Sequence, residues 1–297
     1  MKKRVLACLM AAALATTLLA GCGSSSSDET EETTEETEES AEAEEETEEA
    51  ADLSGSVTTG GSTSMESLME IVNEVFMETY PDVTISYDGV GSGAGATGVA
   101  EGSYDIGLTS RYLKDEEVEQ GLTGTTVALD GICVIVNTAN TVTDLSLEDI
   151  AAIFTGEITN WSEVGGEDAE IVCIGREAGS GTRDGFESIT ETEDLCVYSQ
   201  EQTSTGGVIT AVESNEYAIG YASMASVEDT VVAIAVDGVE ASEDTVLDGT
   251  YAIQRPFVFV TNDATELSDQ AQAFFDFVTG GDADEYISQA GVVPYHE

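Results

Sequence analysis

Four short segments of the chain combine glycine with serine, threonine or arginine. They lie at residues 60–64, 91–95, 109–111 and 176–182. Each follows a predicted strand or turn and opens a predicted helix, whose unpaired N–H groups carry a partial positive charge. Glycine lets an anion approach that backbone, and the hydroxyl groups add further donors. The four segments therefore predict a pocket for a small oxyanion.

The few cations of the chain favour the same site. Apart from Lys2, Lys3 and Arg4, the sequence contains Arg111, Lys114, Arg176, Arg183 and Arg255. Three of these five, Arg111, Arg176 and Arg183, lie in or directly after the glycine-hydroxyl segments. A guanidinium group binds a tetrahedral oxyanion with two parallel contacts. Simple N-capping is the alternative for any one segment, and Thr63 with Glu66 fits a capping box. We favour the anion site because all four segments and their arginines occur together.

Composition excludes several other functions. Sixty acidic residues against eight basic ones give a formal net charge of -52, which disfavours nucleic-acid binding and repels an anionic membrane surface. The only histidine, His296, lies next to the C-terminus, which argues against a Ser–His–Asp hydrolase. Residues 93–98 match a dinucleotide fingerprint, but 30 glycines make such a match weak. The sequence predicts no enzyme, no cofactor and no metal site.

The elements that would position these segments alternate between strands and helices. Apolar spacing predicts helices at residues 64–80, 111–120, 147–154, 182–190 and 267–278, with a short helical stretch before Gly102. Apolar or alternating runs predict strands at residues 83–87, 104–108, 132–136, 171–174, 218–221, 231–236 and 257–260. This order predicts an α/β fold with mostly parallel strands.

The N-terminus predicts export and attachment to a membrane. Lys2, Lys3 and Arg4 precede an apolar run at residues 5–20, which is shorter than the roughly 20 residues of a membrane span. The run ends in Leu-Ala-Gly-Cys, which resembles a bacterial lipobox, so residues 1–21 are predicted to be a signal peptide and Cys22 to carry the lipid. Ordinary signal cleavage without a lipid on Cys22 is the alternative.

An acidic tract follows the predicted lipidation site. Residues 23–52 contain 15 Asp or Glu and no Lys, Arg or aromatic residue, a composition that cannot form a packed core. We expect residues 22–52 to be a disordered linker that reaches roughly 100 Å when extended. A tether to the membrane is the functional interpretation, and an acidic tail without a role is the alternative. The three later cysteines, Cys133, Cys173 and Cys196, allow either buried thiols or one disulfide with one free thiol.

Several motifs resemble the PstS family of phosphate-binding proteins of ABC importers. They include Gly-Ser-Thr-Ser at residues 61–64, Ile-Thr-Asn-Trp at residues 158–161, Arg-x-x-Gly-Ser-Gly-Thr at residues 176–182 and Val-Val-Pro-Tyr at residues 292–295. The likeness covers roughly residues 55–295. It implies a two-domain periplasmic-binding-protein fold of type II, with the ligand in the interdomain cleft. By resemblance, residues 53–129 plus 253–297 form one α/β domain and residues 130–252 form the other.

The resemblance also implies a set of ligand groups. They are Thr63, Ser64, Ser92, Arg176, Ser180, Gly181 and Thr182. The third glycine-hydroxyl segment adds Ser110 and Arg111 to the predicted ligand set, although it departs from the family pattern. Many family members place an aspartate where this chain has Ser110, and that carboxylate accepts the proton of hydrogen phosphate and rejects sulfate. A serine at this position leaves anion binding intact but weakens the expected selectivity for phosphate.

The function implied by the resemblance is capture of inorganic phosphate outside the cytoplasm and delivery to the permease subunits of an ABC importer. The expected protein is a monomer, held by its lipid on the cell membrane of a bacterium that lacks an outer membrane. The alternatives are a binding protein for sulfate, molybdate or tungstate, a surface phosphatase, and a sensor or adhesin without an importer.

Overall fold

The computed structural model describes residues 53–296. The strands in that range are β1 Gly55–Gly61, β2 Val83–Gly89, β3 Ile106–Thr109, β4 Leu122–Asn137, β5 Asp144–Leu145, β6 Val172–Arg176, β7 Gln200–Gln202, β8 Ala218–Ser223, β9 Val231–Ala233, β10 Ala235–Val236, β11 Gln254–Asn262 and β12 Val293–Pro294. The helices are α1 Glu66–Thr79, α2 Ser92–Ala100, α3 Asp115–Glu119, α4 Leu147–Phe154, α5 Gly181–Ile189, α6 Thr205–Glu213, α7 Glu243–Leu247, α8 Asp269–Thr279 and α9 Asp284–Gln289. Short 3₁₀ turns occur at Thr63–Met65, Trp161–Val164 and Met224–Ser226. The α/β class is as expected.

The main sheet has the strand order β2-β1-β3-β11-β4-β8-β6-β7, with β9 and β12 also paired to β4. At one side β1 pairs in parallel with β2 and β3, and at the other β6 pairs in parallel with β7 and β8. The two central strands differ from the expected parallel arrangement. β11 is antiparallel to β3 and β4, and β4 is antiparallel to β8, so strand direction alternates between the two parallel groups.

Strand β4 contributes to two hydrophobic cores. Its residue Val127 packs in a first core with Phe76 and Phe274, whereas Val134 packs in a second core with Trp161. The chain returns through β11, where Ile253 just before the strand belongs to the second core and Phe257 belongs to the first. The apolar residues of one 16-residue strand therefore stabilise both parts of the molecule.

Helix α1 forms where the spacing of apolar residues predicts a helix, at residues 64–80. Helix α1 buries Leu68, Met69, Val72 and Phe76 on one face, at the spacing that a 3.6-residue repeat requires. The edge of the Phe76 ring packs against Phe274 with the ring centroids 5.3 Å apart.

Four helices differ from the expectation: α3 is shorter than predicted, and no helix was predicted at α6, α7 or α9. The predicted helix at residues 111–120 is present only as α3, because the Glu117 carboxylate binds the backbone N–H of Lys114 and caps the helix there. Helix α6 was not predicted, since Gly206 and Gly207 have low helix propensity.

Cys133 and Cys173 are buried, Cys196 is half-buried, and all three are free thiols. Burial raises the pKa of the Cys173 thiol to about 12, so it stays protonated at neutral pH. No helix within residues 53–296 has the length and apolar character needed to cross a bilayer. The predicted signal peptide, Cys22 and the acidic linker lie outside the described residues.

Candidate anion-binding site

The glycine-hydroxyl segments lie where strands end and helices begin. Ser62 and Thr63 follow β1, Ser92 opens α2 after β2, and Ser110 follows β3. Because β1, β2 and β3 are parallel, their carboxyl ends meet at one edge of the sheet. Ser180 caps α5, with its side chain accepting a hydrogen bond from the Arg183 backbone N–H.

Glycine allows the close approach of two of these segments. Gly61 has a φ of +146°, and a Cβ there would lie 2.0 Å from the Leu108 carbonyl oxygen. The N–H of Gly93 donates to the Gly179 carbonyl oxygen at 3.0 Å, which joins the start of α2 to the loop before α5. The approach at Gly61 requires glycine, because a Cβ there would collide with the Leu108 carbonyl group.

Six hydroxyl groups meet at this edge, and we call them the hydroxyl cluster: Thr63, Ser64, Ser92, Ser110, Thr182 and Thr205. The Ser64 Oγ lies 2.8 Å from Thr182 Oγ1 and 3.0 Å from Thr205 Oγ1. Thr205 Oγ1 is also 3.2 Å from Thr63 Oγ1. All six residues are at most 5% exposed, so they form donors and acceptors shielded from solvent.

Ser92 and Ser110 join the cluster through α5. Their Oγ atoms lie 3.3 Å apart, and the Ser110 N–H donates to Ser92 Oγ at 3.1 Å. A Cβ at Gly181, the first residue of α5, would lie 2.3 Å from Ser92 Oγ and 2.6 Å from Ser110 Oγ. Both hydroxyls are therefore directly in front of a helix N-terminus, where an anion is favoured.

Arg176 ends β6 and brings the first guanidinium to the cluster. It is 2% exposed, and its Nη1 donates to Thr205 Oγ1 at 3.3 Å. Its Nε and Nη2 donate to the two carboxylate oxygens of Glu177, at 3.0 and 2.9 Å. The charge of Arg176 is thus partly balanced before any ligand is bound.

Arg255 brings a second guanidinium. Its Nη1 donates to Thr182 Oγ1 at 2.8 Å and to the Ser110 carbonyl oxygen at 3.3 Å. Arg255 and Asp130 face each other across the β11–β4 ladder, and Arg255 Nη2 lies 2.9 Å from Asp130 Oδ2. Complete burial raises the pKa of the Asp130 carboxyl, whereas Arg255 and a hydrogen bond from Ser223 act in the opposite direction.

Aromatic residues hold the Arg176 backbone in place. The Tyr221 hydroxyl accepts a hydrogen bond from the Arg176 backbone N–H at 3.2 Å. Its ring stacks on Phe186 of α5 with the centroids 4.2 Å apart. Tyr198 Oη lies 3.0 Å from Tyr221 Oη and donates to Glu187 at 2.9 Å. Burial raises the pKa of both tyrosines, so they remain neutral hydrogen-bonding groups.

The structure brings together most of the predicted ligand residues but directs Arg111 elsewhere. Arg111 Nη1 and Nη2 each donate to a carboxylate oxygen of Glu117 at 2.8 Å, and Nη1 also donates to the Tyr112 carbonyl oxygen. Its Nε lies 2.9 Å from Asp184 Oδ2. Every nitrogen of this guanidinium is therefore engaged outside the hydroxyl cluster.

Two members of the site were missing from the predicted set. Thr205 opens α6 within Ser204-Thr205-Gly206-Gly207, which has the same composition as the four predicted segments and could have been found by that rule. Arg255 is one of five cations after residue 4 and directly precedes Pro256, one of only three prolines in the sequence. Its contact with the cluster depends on strand pairing that no local pattern shows.

Known proteins share this architecture. A family model described as a PBP superfamily domain matches residues 37–282. The phosphate-binding protein PstS of Bacillus subtilis is 31% identical over 244 residues, covering 80% of each chain. PstS of Borreliella burgdorferi is 29% identical and covers 79% of this chain and 88% of its own.

Solved structures agree. A Clostridium perfringens substrate-binding protein assigned to phosphate ABC transport, solved with bound phosphate, is 41% identical with a TM-score of 0.78, covering 81% of this chain and 100% of its own. An ABC-type phosphate transport receptor from Vibrio cholerae is 34% identical with a TM-score of 0.67, covering 80% of this chain and 100% of its own. The chain belongs to the PBP superfamily and, within it, to the PstS family.

Proposed function

We propose that this protein captures inorganic phosphate outside the cytoplasm and delivers it to an ABC importer. The observation that carries the proposal is the buried hydroxyl cluster, which two arginines contact in a chain of net charge -52. So many inward-facing donors at helix N-termini suit a small anion that is enclosed on all sides. The names of the PstS relatives and the phosphate-bound Clostridium perfringens structure support phosphate as that anion.

Each part of the site has a proposed role. Thr63, Ser64, Ser92, Ser110 and Thr182 donate hydroxyl hydrogen bonds, while Ser180 and Gly181 present the start of α5 to the anion. Arg176 is the principal cation, and we add Arg255 and Thr205 to the set because both contact the cluster directly. We propose that Arg111 acts on the site through Asp184 instead of through the ligand.

The charges of the site suggest how it binds an anion without relying on net attraction. Arg176 is paired with Glu177 and Arg255 with Asp130, so the two ion pairs sum to no formal charge. The hydroxyl and helix N–H dipoles then stabilise the ligand together with the direct short-range contact of Arg176, at distances where solvent no longer screens them. Screening over about 8 Å at physiological salt limits repulsion from the acidic surface.

We also propose that the two hydrophobic cores correspond to two lobes, residues 53–129 plus 253–297 and residues 130–252. The hydroxyl cluster combines Ser64 and Ser92 from the first with Thr182 and Thr205 from the second. A ligand held by both would favour a closed arrangement, which the importer could distinguish from an open one.

One observation supports sulfate as a weaker second ligand. Ser110, where many family members have an aspartate, offers a hydroxyl oxygen that can accept a hydrogen bond from the P–OH group of hydrogen phosphate but does not repel a fully ionised anion. Among residues 53–296, the carboxylates that contact the two site arginines, Glu177 and Asp130, are already engaged by them. We therefore expect discrimination against sulfate to be modest.

Titration calorimetry of the purified protein with phosphate and with sulfate tests the assignment. We expect phosphate to bind more tightly, with sulfate competing at higher concentration. If sulfate, molybdate or tungstate binds more tightly than phosphate, that anion is the ligand and the phosphate assignment is wrong. Steady release of phosphate from a phosphate ester, abolished in the Ser180→Ala variant, would instead indicate a phosphatase.

We further propose that Cys22 carries the lipid and that the protein works as a monomer with membrane permease subunits. Labelling with radioactive palmitate should mark the wild-type protein and not the Cys22→Ala variant, which should be released into the medium. Permease subunits should be recovered with the wild-type protein after cross-linking in the presence of phosphate. Labelling that persists in the variant would remove Cys22 as the anchor.

A further inference from the structure

Arg111, Lys114, Glu117 and Asp184 form a group of two cations and two carboxylates beside the candidate site, and we call it the Asp184 network. Arg111 Nε and Lys114 Nζ lie 2.9 and 3.0 Å from the same atom, Asp184 Oδ2. The Glu117 carboxylate holds the other side of the Arg111 guanidinium with two hydrogen bonds of 2.8 Å. The two charges of each sign balance within the group.

The Asp184 network joins segments that belong to different cores. Arg111 and Lys114 lie between β3 and α3, and the β3 residue Leu108 packs in the first core. Asp184 lies in α5, whose residue Phe186 packs in the second core. The network therefore connects the two proposed lobes at a place that is separate from the hydroxyl cluster.

Burial makes this connection stronger than an ordinary surface pair. The side chains of Arg111, Glu117 and Asp184 are 8%, 12% and 27% exposed. The Glu117 carboxylate holds the Arg111 side chain in one orientation. Little side-chain entropy is therefore lost when Arg111 forms its ion pair with Asp184. The contact with Asp184 is an ion pair and not a formed hydrogen bond, so its strength depends on charge and on salt.

The position of Asp184 in α5 links it to ligand binding. It lies two residues after Thr182 and three after Gly181, in the first turn of the helix that faces Ser92 and Ser110. We propose that Asp184 is an affinity-determining residue: its ion pairs with Arg111 and Lys114 form in the closed protein and slow release of the bound anion. The inference rests on the proposed function, because it concerns the same site.

The physical reason is linkage between closure and binding. A contact present only in the closed state raises the population of that state without touching the ligand. A smaller part of the ligand's binding free energy is then needed to close the protein. The ligand also dissociates more slowly, because these contacts must break before the protein opens. The hydroxyl cluster cannot do this independently, since its groups are the proposed ligand donors.

The test is the rate at which labelled phosphate leaves the purified protein during a chase with unlabelled phosphate. We expect Asp184→Asn to release phosphate about 3- to 10-fold faster than wild type, because one carboxylate serves two cations. Lys114→Gln should release it about 2-fold faster, since this side chain is 45% exposed. The matched control is Asp115→Asn, an exposed aspartate in the same region that makes the same change of net charge.

The salt dependence of phosphate release distinguishes the ion pairs of the Asp184 network from a general loss of structure in the variant. Release from wild type and from Asp115→Asn should accelerate as sodium chloride is raised, whereas release from Asp184→Asn should depend less on salt. If wild type binds phosphate but Asp184→Asn and Asp115→Asn release it at equal rates, the role of Asp184 is overturned and the proposed function is not. Wild-type protein that binds no phosphate would overturn the proposed function and this inference together. If Asp184→Asn does not fold, the Lys114→Gln variant decides the question. A Lys114→Gln protein that releases phosphate at the same rate as wild type would overturn the inference.

Discussion

Arg176 offers the sharpest test of the site, through the substitution Arg176→Ala. This side chain is 2% exposed and donates to both Thr205 and Glu177. Its removal takes away the proposed charge-assisted contact with the anion and leaves the Glu177 carboxylate without its partner. Losing one member of a buried charged pair costs about 2–5 kcal/mol. At about 1.4 kcal/mol per factor of ten, phosphate affinity should fall roughly 30- to 4,000-fold.

Calorimetry on wild type, Arg176→Ala and the double variant Arg176→Ala/Glu177→Gln measures this loss of affinity. It also separates the effect of the lost anion contact from that of the unpaired Glu177 carboxylate. The double variant removes the unpaired carboxylate, so it should bind phosphate more tightly than the single variant. Thermal unfolding without phosphate shows whether each variant remains folded. A folded Arg176→Ala protein whose affinity falls less than tenfold would refute the role of Arg176 as the principal cation.

Three further substitutions test the supporting structure. Asp130→Asn leaves Arg255 buried without its counter-charge and should lower the free energy of unfolding in urea by about 3–5 kcal/mol. Gly181→Ala places a methyl group 2.3 Å from Ser92 Oγ and should lower phosphate affinity at least tenfold, measured by calorimetry, with a smaller effect on stability. Glu117→Gln tests the acid response: burial raises the pKa of the Glu117 carboxyl, but hydrogen bonds from a guanidinium and a backbone N–H outweigh it and lower the pKa overall. Its contribution is therefore present at neutral pH and is lost as pH falls below about 4.5, so the variant should lose less stability than wild type over that acid range.

Each of these substitutions has a control. Asp229→Asn changes the same charge at an exposed position and should leave the urea midpoint nearly unchanged. Gly206→Ala adds the same methyl group where a Cβ meets no atom within 4 Å, so binding should be retained. Glu119→Gln, on an exposed residue of the same helix, should keep the acid response of wild type. Equal behaviour of a test variant and its control would contradict the contact assigned to that residue.

The sequence alone determined the elements in which local pattern and structure agree. Helix α1 followed from the spacing of its apolar residues, which a helix places on one face whatever it packs against. The loops at Ser64, Ser92, Ser110 and Ser180 were recognised because glycine and hydroxyl residues before a helix create the same donors in any fold. Their meeting in one cluster follows from parallel strands that end at a common edge.

Tertiary structure alone decided the partners of the charged residues. Arg111 was predicted as a ligand from its place in a loop, yet its guanidinium contacts Glu117 and Asp184, the latter 73 positions away in sequence. Arg255 reaches Thr182 because β11 and β4 pair antiparallel, which also sets Asp130 opposite it. In a chain with 60 acidic residues, sequence spacing cannot select one carboxylate partner from so many, because an ion pair depends on distances that only the folded chain defines.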